Sequence, residues 1–208
     1  MEEVEVKIKS ASVTNIFVME LNSNTYLTQF FHYIIIIYRS TTEVKNEERK
    51  MAGVINDKEE NVFGMAKAFL SISEMTHKKL QKLCYYAKAW HLALYDYNII
   101  DEPFQAWVHG AVQPDLYQKY KKYRYSNIPK VTDTSRIPET FLFFAKQVYD
   151  SYGHLTGDEL EQINHQEEPW ILARGDCKPW ESCTTTISED SMKSFYRKMI
   201  CDETDSES

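Results

Sequence analysis

The 208-residue sequence is short of the motifs that chemistry most often needs. Its 6 glycines are scattered, and none falls into GxGxxG or GxxxxGK[ST], so no phosphate-cradling loop is indicated. HExxH and GxSxG are missing too, which removes the commonest zinc-peptidase and serine-hydrolase signatures. The 4 cysteines, Cys84, Cys177, Cys183 and Cys201, have spacings that fit neither a disulfide framework nor a paired CxxC zinc site. Cysteine used in this way suits a reducing compartment, and a cytoplasmic protein is expected. Positive charge is in deficit: 24 Lys and Arg against 31 Asp and Glu leave a formal net charge of -7, which argues against a whole-chain nucleic-acid binder. Long apolar runs are also lacking. Residues 26–38 are interrupted by Gln29 and His32 and fall well short of the roughly 20 apolar residues that span a bilayer. The opening Glu2, Glu3 and Glu5 carry the wrong charge for a signal peptide, so no membrane role is expected.

What is present is a core-forming composition, with 43% hydrophobic residues and 14 tyrosines. Residues 1–50 differ in character from the rest of the chain, and two readings stand for them. One is a β-hairpin-like arm, with Val4, Val6 and Ile8 alternating and residues 30–38 as a second strand. The other is upstream sequence not translated in the cell. Codons for Glu47, Glu48, Arg49 and Lys50 are purine-rich and can spell a ribosome-binding site just before Met51. From Met51 the chain is coherent, and residues 51–200 are expected to form one domain. An acidic tail over 201–208 is expected to fray.

The domain reads as mostly α, with small β elements around 104–109 and 184–187. Helices are expected over 62–72 and over about 76–97, the second opened by Thr76 as N-cap. In that long helix Leu80, Leu83, Cys84, Ala87, Trp90, His91 and Leu94 form one apolar stripe, with Lys78, Lys79, Lys82 and Lys88 mostly off it. His91 on this face reads as a core histidine. A strand over 104–109 is ended by Gly110, and Pro114 suits the first turn of a helix over 114–123. Phe141, Phe144, Ala145, Val148 and Tyr152 define another helix, closed by Gly153. Thr156 and Glu159 form a capping box for a helix over 157–166. Pro169 and Trp170 start a short helical turn, and Ser188 caps a last helix bearing Met192, Phe195, Tyr196 and Met199.

Chemistry-bearing clusters are few. His165 with Cys177 and Cys183 offers only three loosely spaced ligands, and Cys177 with His165 lacks an orienting third residue. Neither a metal nor a catalytic site is therefore expected, and no cofactor. Residues 117–125 interleave four tyrosines with Lys119, Lys121, Lys122 and Arg124, a pattern that can stack bases and hold phosphates. The spacing of Tyr117, Tyr120 and Tyr123 equally suits an inward packing stripe with the cations in water, which the acidic whole favours.

Three spaced landmarks resemble a known family. Lys78-Lys79-Leu80-Gln81-Lys82-Leu83-Cys84-Tyr85-Tyr86-Ala87, followed by Trp90 and His91, is similar to the central helix of the SocA-like Panacea domain. Ala106-Trp107-Val108-His109-Gly110-Ala111-Val112-Gln113-Pro114, with Tyr117, resembles its Ala-Trp-x-x-Gly-Pro-Val-x-Pro-x-x-Tyr element. Leu160 through Pro169 and Trp170 resembles its helix ending in Pro-Trp, and Ile187-Ser188 with Phe195-Tyr196 its closing segment. Lys79, Leu80, Lys82, Leu83, Tyr85, Trp90, Gly110, Pro114 and Pro169 are the landmark residues. Ala111 stands where the family usually has proline, so the loop after Gly110 is expected to be freer in φ.

The resemblance implies an α-rich antitoxin of bacterial and phage-associated (GepA-like) toxin–antitoxin pairs, neutralising a toxin by direct binding. The founding type also implies an adaptor role that presents the toxin to the ClpXP protease. The expected function is thus a cytoplasmic antitoxin of a type II-like system, not an enzyme, with a cognate toxin as partner and a ClpX-type unfoldase as a narrower one. Trp107, His109, Gln113, Tyr117 and Trp170 are the expected toxin contacts, because aromatics borne on turns make hot spots. For Trp107 and Trp170 a place in the core stands as an equal alternative. The alternative function is a nucleic-acid-binding regulator using 117–125.

Overall fold

A computed structural model describes residues 60–205, with side chains through Met199, all within the unit Val44–Ser208. The two readings of residues 1–50 and the Met51 boundary lie outside the described residues. Among these, seven α-helices and four short strands form a mostly α domain with small β elements, as the sequence predicts.

The helices begin where side chains can cap them. Asn61 opens α1 (Val62–Ile72) by accepting from the backbone N–H groups of Phe63 (3.0 Å) and Gly64 (3.1 Å). Thr76 opens α2 (His77–Tyr95), its Oγ1 accepting from Lys79 N at 3.3 Å. Asp96, at φ 68°, ends that helix. α3 (Pro114–Tyr120) starts on Gln113 and Pro114 and tightens into a 3₁₀ turn over Lys121–Tyr123. α4 (Glu139–Tyr152) stops at Gly153. α5 (Gly157–Asn164) carries the expected reciprocal capping box, Thr156 with Glu159. α6 (Glu168–Arg174) has Pro169 in its first turn. α7 (Glu189–Asp205) continues helically into the stretch read from sequence as a frayed tail.

The strands are short and antiparallel. β1 (Met75–Thr76) pairs with β4 (Asn127–Ile128). β2 (Gln105–Trp107) pairs with β3 (Gly110–Val112), setting Ala106 opposite Ala111 and Trp107 opposite Gly110. On its other side Gln105 bridges to Thr186, so the two expected β segments meet there. Gly110 begins a second strand of the hairpin where the sequence reading only ended the first. At φ +86° it supplies the left-handed residue that returns the chain after the turn at Val108 and His109.

α2 is the axis of the domain, with α1, α4, α5, α7 and β3 packed around it. Tyr85, Tyr86, Leu83 and Ala87 are fully buried, each large apolar side chain being worth about 1.5–3 kcal/mol on burial. Tyr86 stacks on Tyr152 with centroids 4.4 Å apart, and Trp90 donates to the Tyr152 hydroxyl at 2.9 Å. Being wrapped on all sides corrects the single-stripe expectation: Lys82 and Lys88 are both buried. Lys88 survives there because Nζ donates to the carbonyls of Ile100 (2.8 Å), Glu102 (3.2 Å) and Asp101 (3.3 Å) and pairs with Glu189 at 2.7 Å. His91 is a core histidine, its Nδ1 2.9 Å from the Tyr97 carbonyl and its pKa pulled down to about 4 by burial.

Candidate partner-binding site

Gln81 and Lys82 of α2 hold the β2–β3 hairpin, whereas Lys79 donates to Gly153 O at 2.7 Å at the end of α4. Gln81 acts on β3 as a strand would: its Nε2 donates to Gln113 O (3.1 Å) and its Oε1 accepts from Gln113 N (2.9 Å). Beside it, Lys82 Nζ donates to the carbonyls of His109 and Ala111, the latter at 3.0 Å. From α5, Asn164 Oδ1 accepts from Ala111 N at 2.6 Å, and its Nδ2 donates to Glu167 Oε2 at 2.9 Å. Side chains thus satisfy the outer edge of β3, an edge that would otherwise stand open to another strand. Gly110 is wedged into this clamp. A Cβ there would lie 2.5 Å from Lys82 Nζ and 2.7 Å from Asn164 Oδ1.

This contact also settles the Ala111 departure. The segment is not freer; it is pinned through an N–H that proline could not supply.

The clamp is electrostatically unusual. Burial pushes the Lys82 ammonium down to about 7, although the charges of Glu161 and Glu167 favour its proton. Burial pushes Glu167 up to about 7, opposed by Asn164, Tyr196, Tyr86 and Lys82. The Tyr86 and Tyr196 hydroxyls face that carboxylate without closing hydrogen bonds of good geometry. Such paired shifts can mark acid–base catalysis. Here Lys82 donates to two backbone carbonyls of the hairpin, and Glu167 accepts from Asn164, which itself holds Ala111. Sequence reading missed Asn164 and Glu167, which carry no motif of their own.

Over the clamp lies a ridge of half-buried aromatics. His77 meets Tyr117 edge-on (5.8 Å), and Tyr117 meets Trp107 (5.1 Å). Trp170 donates its indole N–H to Trp107 O at 3.1 Å and stacks on His165 at 4.3 Å, with Arg174 5.4 Å from its ring. Trp107 and Trp170 are thus half-buried, neither wholly core nor wholly exposed. His109 stands exposed at the hairpin turn, its Nδ1 2.9 Å from Glu161, which also pairs with Lys78 at 2.7 Å. Ile171 and Leu172, 48% and 60% exposed, follow Trp170 on the outward side of α6. Gln113 is different. It is buried and caps α3 by accepting from Leu116 N at 2.6 Å, so it supports the ridge from below.

Of the 117–125 segment, Tyr120 is buried and Tyr117 and Tyr123 are half-buried, which is the packing stripe; Tyr125 alone is fully exposed. Among the described residues no three His, Cys, Asp or Glu side chains are grouped to hold a metal, and no helix is long and apolar enough to cross a membrane.

A buried clamp thus lies beneath half-buried, turn-borne aromatics in a mostly helical domain. Residues 80–171 match the family described as Antitoxin SocA-like, Panacea domain. Every residue of the clamp, from Gln81 to Glu167, lies inside that match. No curated protein and no solved structure matches the chain.

Proposed function

We propose that this protein is the antitoxin of a toxin–antitoxin pair and neutralises its toxin in the cytoplasm by stoichiometric burial of a toxin surface. Trp107, His109, Tyr117 and Trp170 supply the contact ridge, with Ile171 and Leu172 at its margin. The observation that carries this reading is the division of labour at the hairpin. Gln81, Lys82 and Asn164 are consumed in holding it, and the aromatics Trp107, Tyr117 and Trp170 are left half-buried, the condition in which Trp and Tyr anchor interfaces at little entropic cost. Delivery of the bound toxin to a ClpXP-type protease is a narrower version of the same mechanism.

The test is growth rescue. Co-expression with the toxic product of an adjacent open reading frame is expected to restore growth, and Leu172→Asp to abolish rescue. Leu172 is solvent-facing, so this variant should change stability by no more than about 0.5 kcal/mol. Rescue undiminished by Leu172→Asp and Trp170→Ala together would exclude this face. Toxin half-life in cells with and without ClpX separates burial from delivery.

A nucleic-acid reading draws support from Lys121, Lys122 and Arg124, all exposed beside Tyr125. It requires oligonucleotide binding that weakens steeply with salt and is lost on Lys121→Glu with Lys122→Glu.

A further inference from the structure

The turn that follows α3 gathers positive charge in a chain that is acidic as a whole. Residues 116–132 contain Lys119, Lys121, Lys122, Arg124 and Lys130 and no Asp or Glu, against a formal net charge of -7 for the chain. Lysines elsewhere meet carboxylates: Lys78 pairs with Asp158, Lys146 with Asp150 and Lys193 with Asp96. Lys121, Lys122 and Arg124 are exposed, and among the described residues none of the three sits in an ion pair. Lys121 donates to the Gln118 amide, and Lys122 Nζ lies 5.3 Å from the centre of the Tyr123 ring, so both touch neutral groups. Glu74 lies at the edge of the stretch, its Oε1 accepting from Asn127 Nδ2 at 3.2 Å.

The backbone here is held against its preference. Arg124 adopts φ +51° and ψ -113°, a sparsely populated region for a residue with a Cβ and one that glycine enters freely. Two hydrogen bonds fix it, Arg124 N to Lys121 O at 3.1 Å and Ser126 N to Tyr123 O at 2.8 Å. Next to it Tyr125 stands 97% exposed.

We propose that Lys121, Lys122, Arg124 and Tyr125 form a docking surface for an acidic polypeptide segment, its carboxylates meeting the three cations and Tyr125 serving as the apolar anchor. Arg and Tyr are the residues that anchor protein interfaces, and unneutralised cations favour a partner of opposite charge. A nucleic-acid strand makes a different demand, because successive bases need successive open rings. Here Tyr120 is buried, Tyr117 lies edge-on to His77 and Trp107, and Tyr123 is half-buried, 6.3 Å from Tyr120. Tyr125 alone is presented in full. A short acidic segment also stays within about 10 Å of the cations, the screening distance, whereas a long polyphosphate runs on over an acidic chain. This inference does not rest on what the aromatic ridge binds.

The test follows the anisotropy of a fluorescein-labelled peptide repeating Glu-Ala-Glu-Leu as the full chain is added, with a thymidine oligonucleotide of equal charge as comparison. The peptide is expected to bind more tightly than the oligonucleotide at low salt. Lys121→Glu with Lys122→Glu should weaken peptide binding about tenfold. The same charge change at Lys146→Glu with Lys198→Glu, both exposed on other helices, should leave it unaltered. Tyr125→Ala should weaken it several-fold. Arg124→Gly removes strain and cation together, so it should raise the thermal midpoint while lowering affinity. Far-UV circular dichroism checks that each variant is folded. Tighter binding of the oligonucleotide would overturn the proposal, as would no peptide binding at low salt or an equal loss in the Lys146 and Lys198 variant. Unchanged affinity in Tyr125→Ala or Arg124→Gly would overturn it too, and so would a lowered midpoint in Arg124→Gly, since the arginine would then serve the fold.

Discussion

Replacing Gly110 by alanine tests the clamp most directly. Two costs add. The residue sits at φ +86°, where a Cβ costs about 1–2 kcal/mol against the backbone. The same Cβ would press to 2.5 Å from Lys82 Nζ and 2.7 Å from Asn164 Oδ1. Lysine is a flexible side chain, but this one is buried and bound to His109 O and Ala111 O, so retreat leaves buried polar groups unpaired, at about 1–3 kcal/mol. The expected total is about 2–5 kcal/mol, which for a domain of this size lowers Tm by about 10 °C. Gly175→Ala is the internal control. It too has positive φ (+50°), but its added Cβ would meet nothing nearer than Leu172 O at 3.9 Å. It should lose only the backbone part, about 1–2 kcal/mol. Urea denaturation of both variants measures the difference. Equal losses at the two glycines would refute the idea that the Lys82–Asn164 clamp is tight.

Two further perturbations concern buried charge. Glu167 titrates at about 7 in the folded chain against 4.5 unfolded. Folding therefore favours its protonated form, and the stability it confers is complete below pH 4.5 and lost as pH rises to 7. Glu167→Gln keeps an acceptor for Asn164 and removes that slope. Relative to the native chain it should gain about 3 kcal/mol between pH 4.5 and 8, read from denaturation midpoints across pH; a parallel pair of curves would contradict the assignment. Lys88→Met should cost about 3 kcal/mol, because three carbonyls at residues 100–102 lose their donor, and hydrogen exchange should accelerate at that loop.

The sequence by itself determined the elements whose signals are local. Thr76, Thr156 with Glu159, and Pro114 start helices because one side chain and the next turn suffice to cap them, and each does so in the structure. The Panacea resemblance was likewise written in short contiguous strings, and the match over residues 80–171 bears it out. What those strings were for was decided only by tertiary contact. Lys82 and Lys88 look like solvent-facing lysines on a stripe of period 3.6, and they are buried because other elements close over the back of α2. Gly110 reads as a strand terminator, yet it opens β3, since the hairpin depends on partners on α2 and α5 far away in sequence. Gln113 looked like a contact residue on a turn and is an internal cap. Capping and periodicity act within a few residues and can be read along the chain. Burial of charge and satisfaction of a strand edge depend on elements brought together only by the fold.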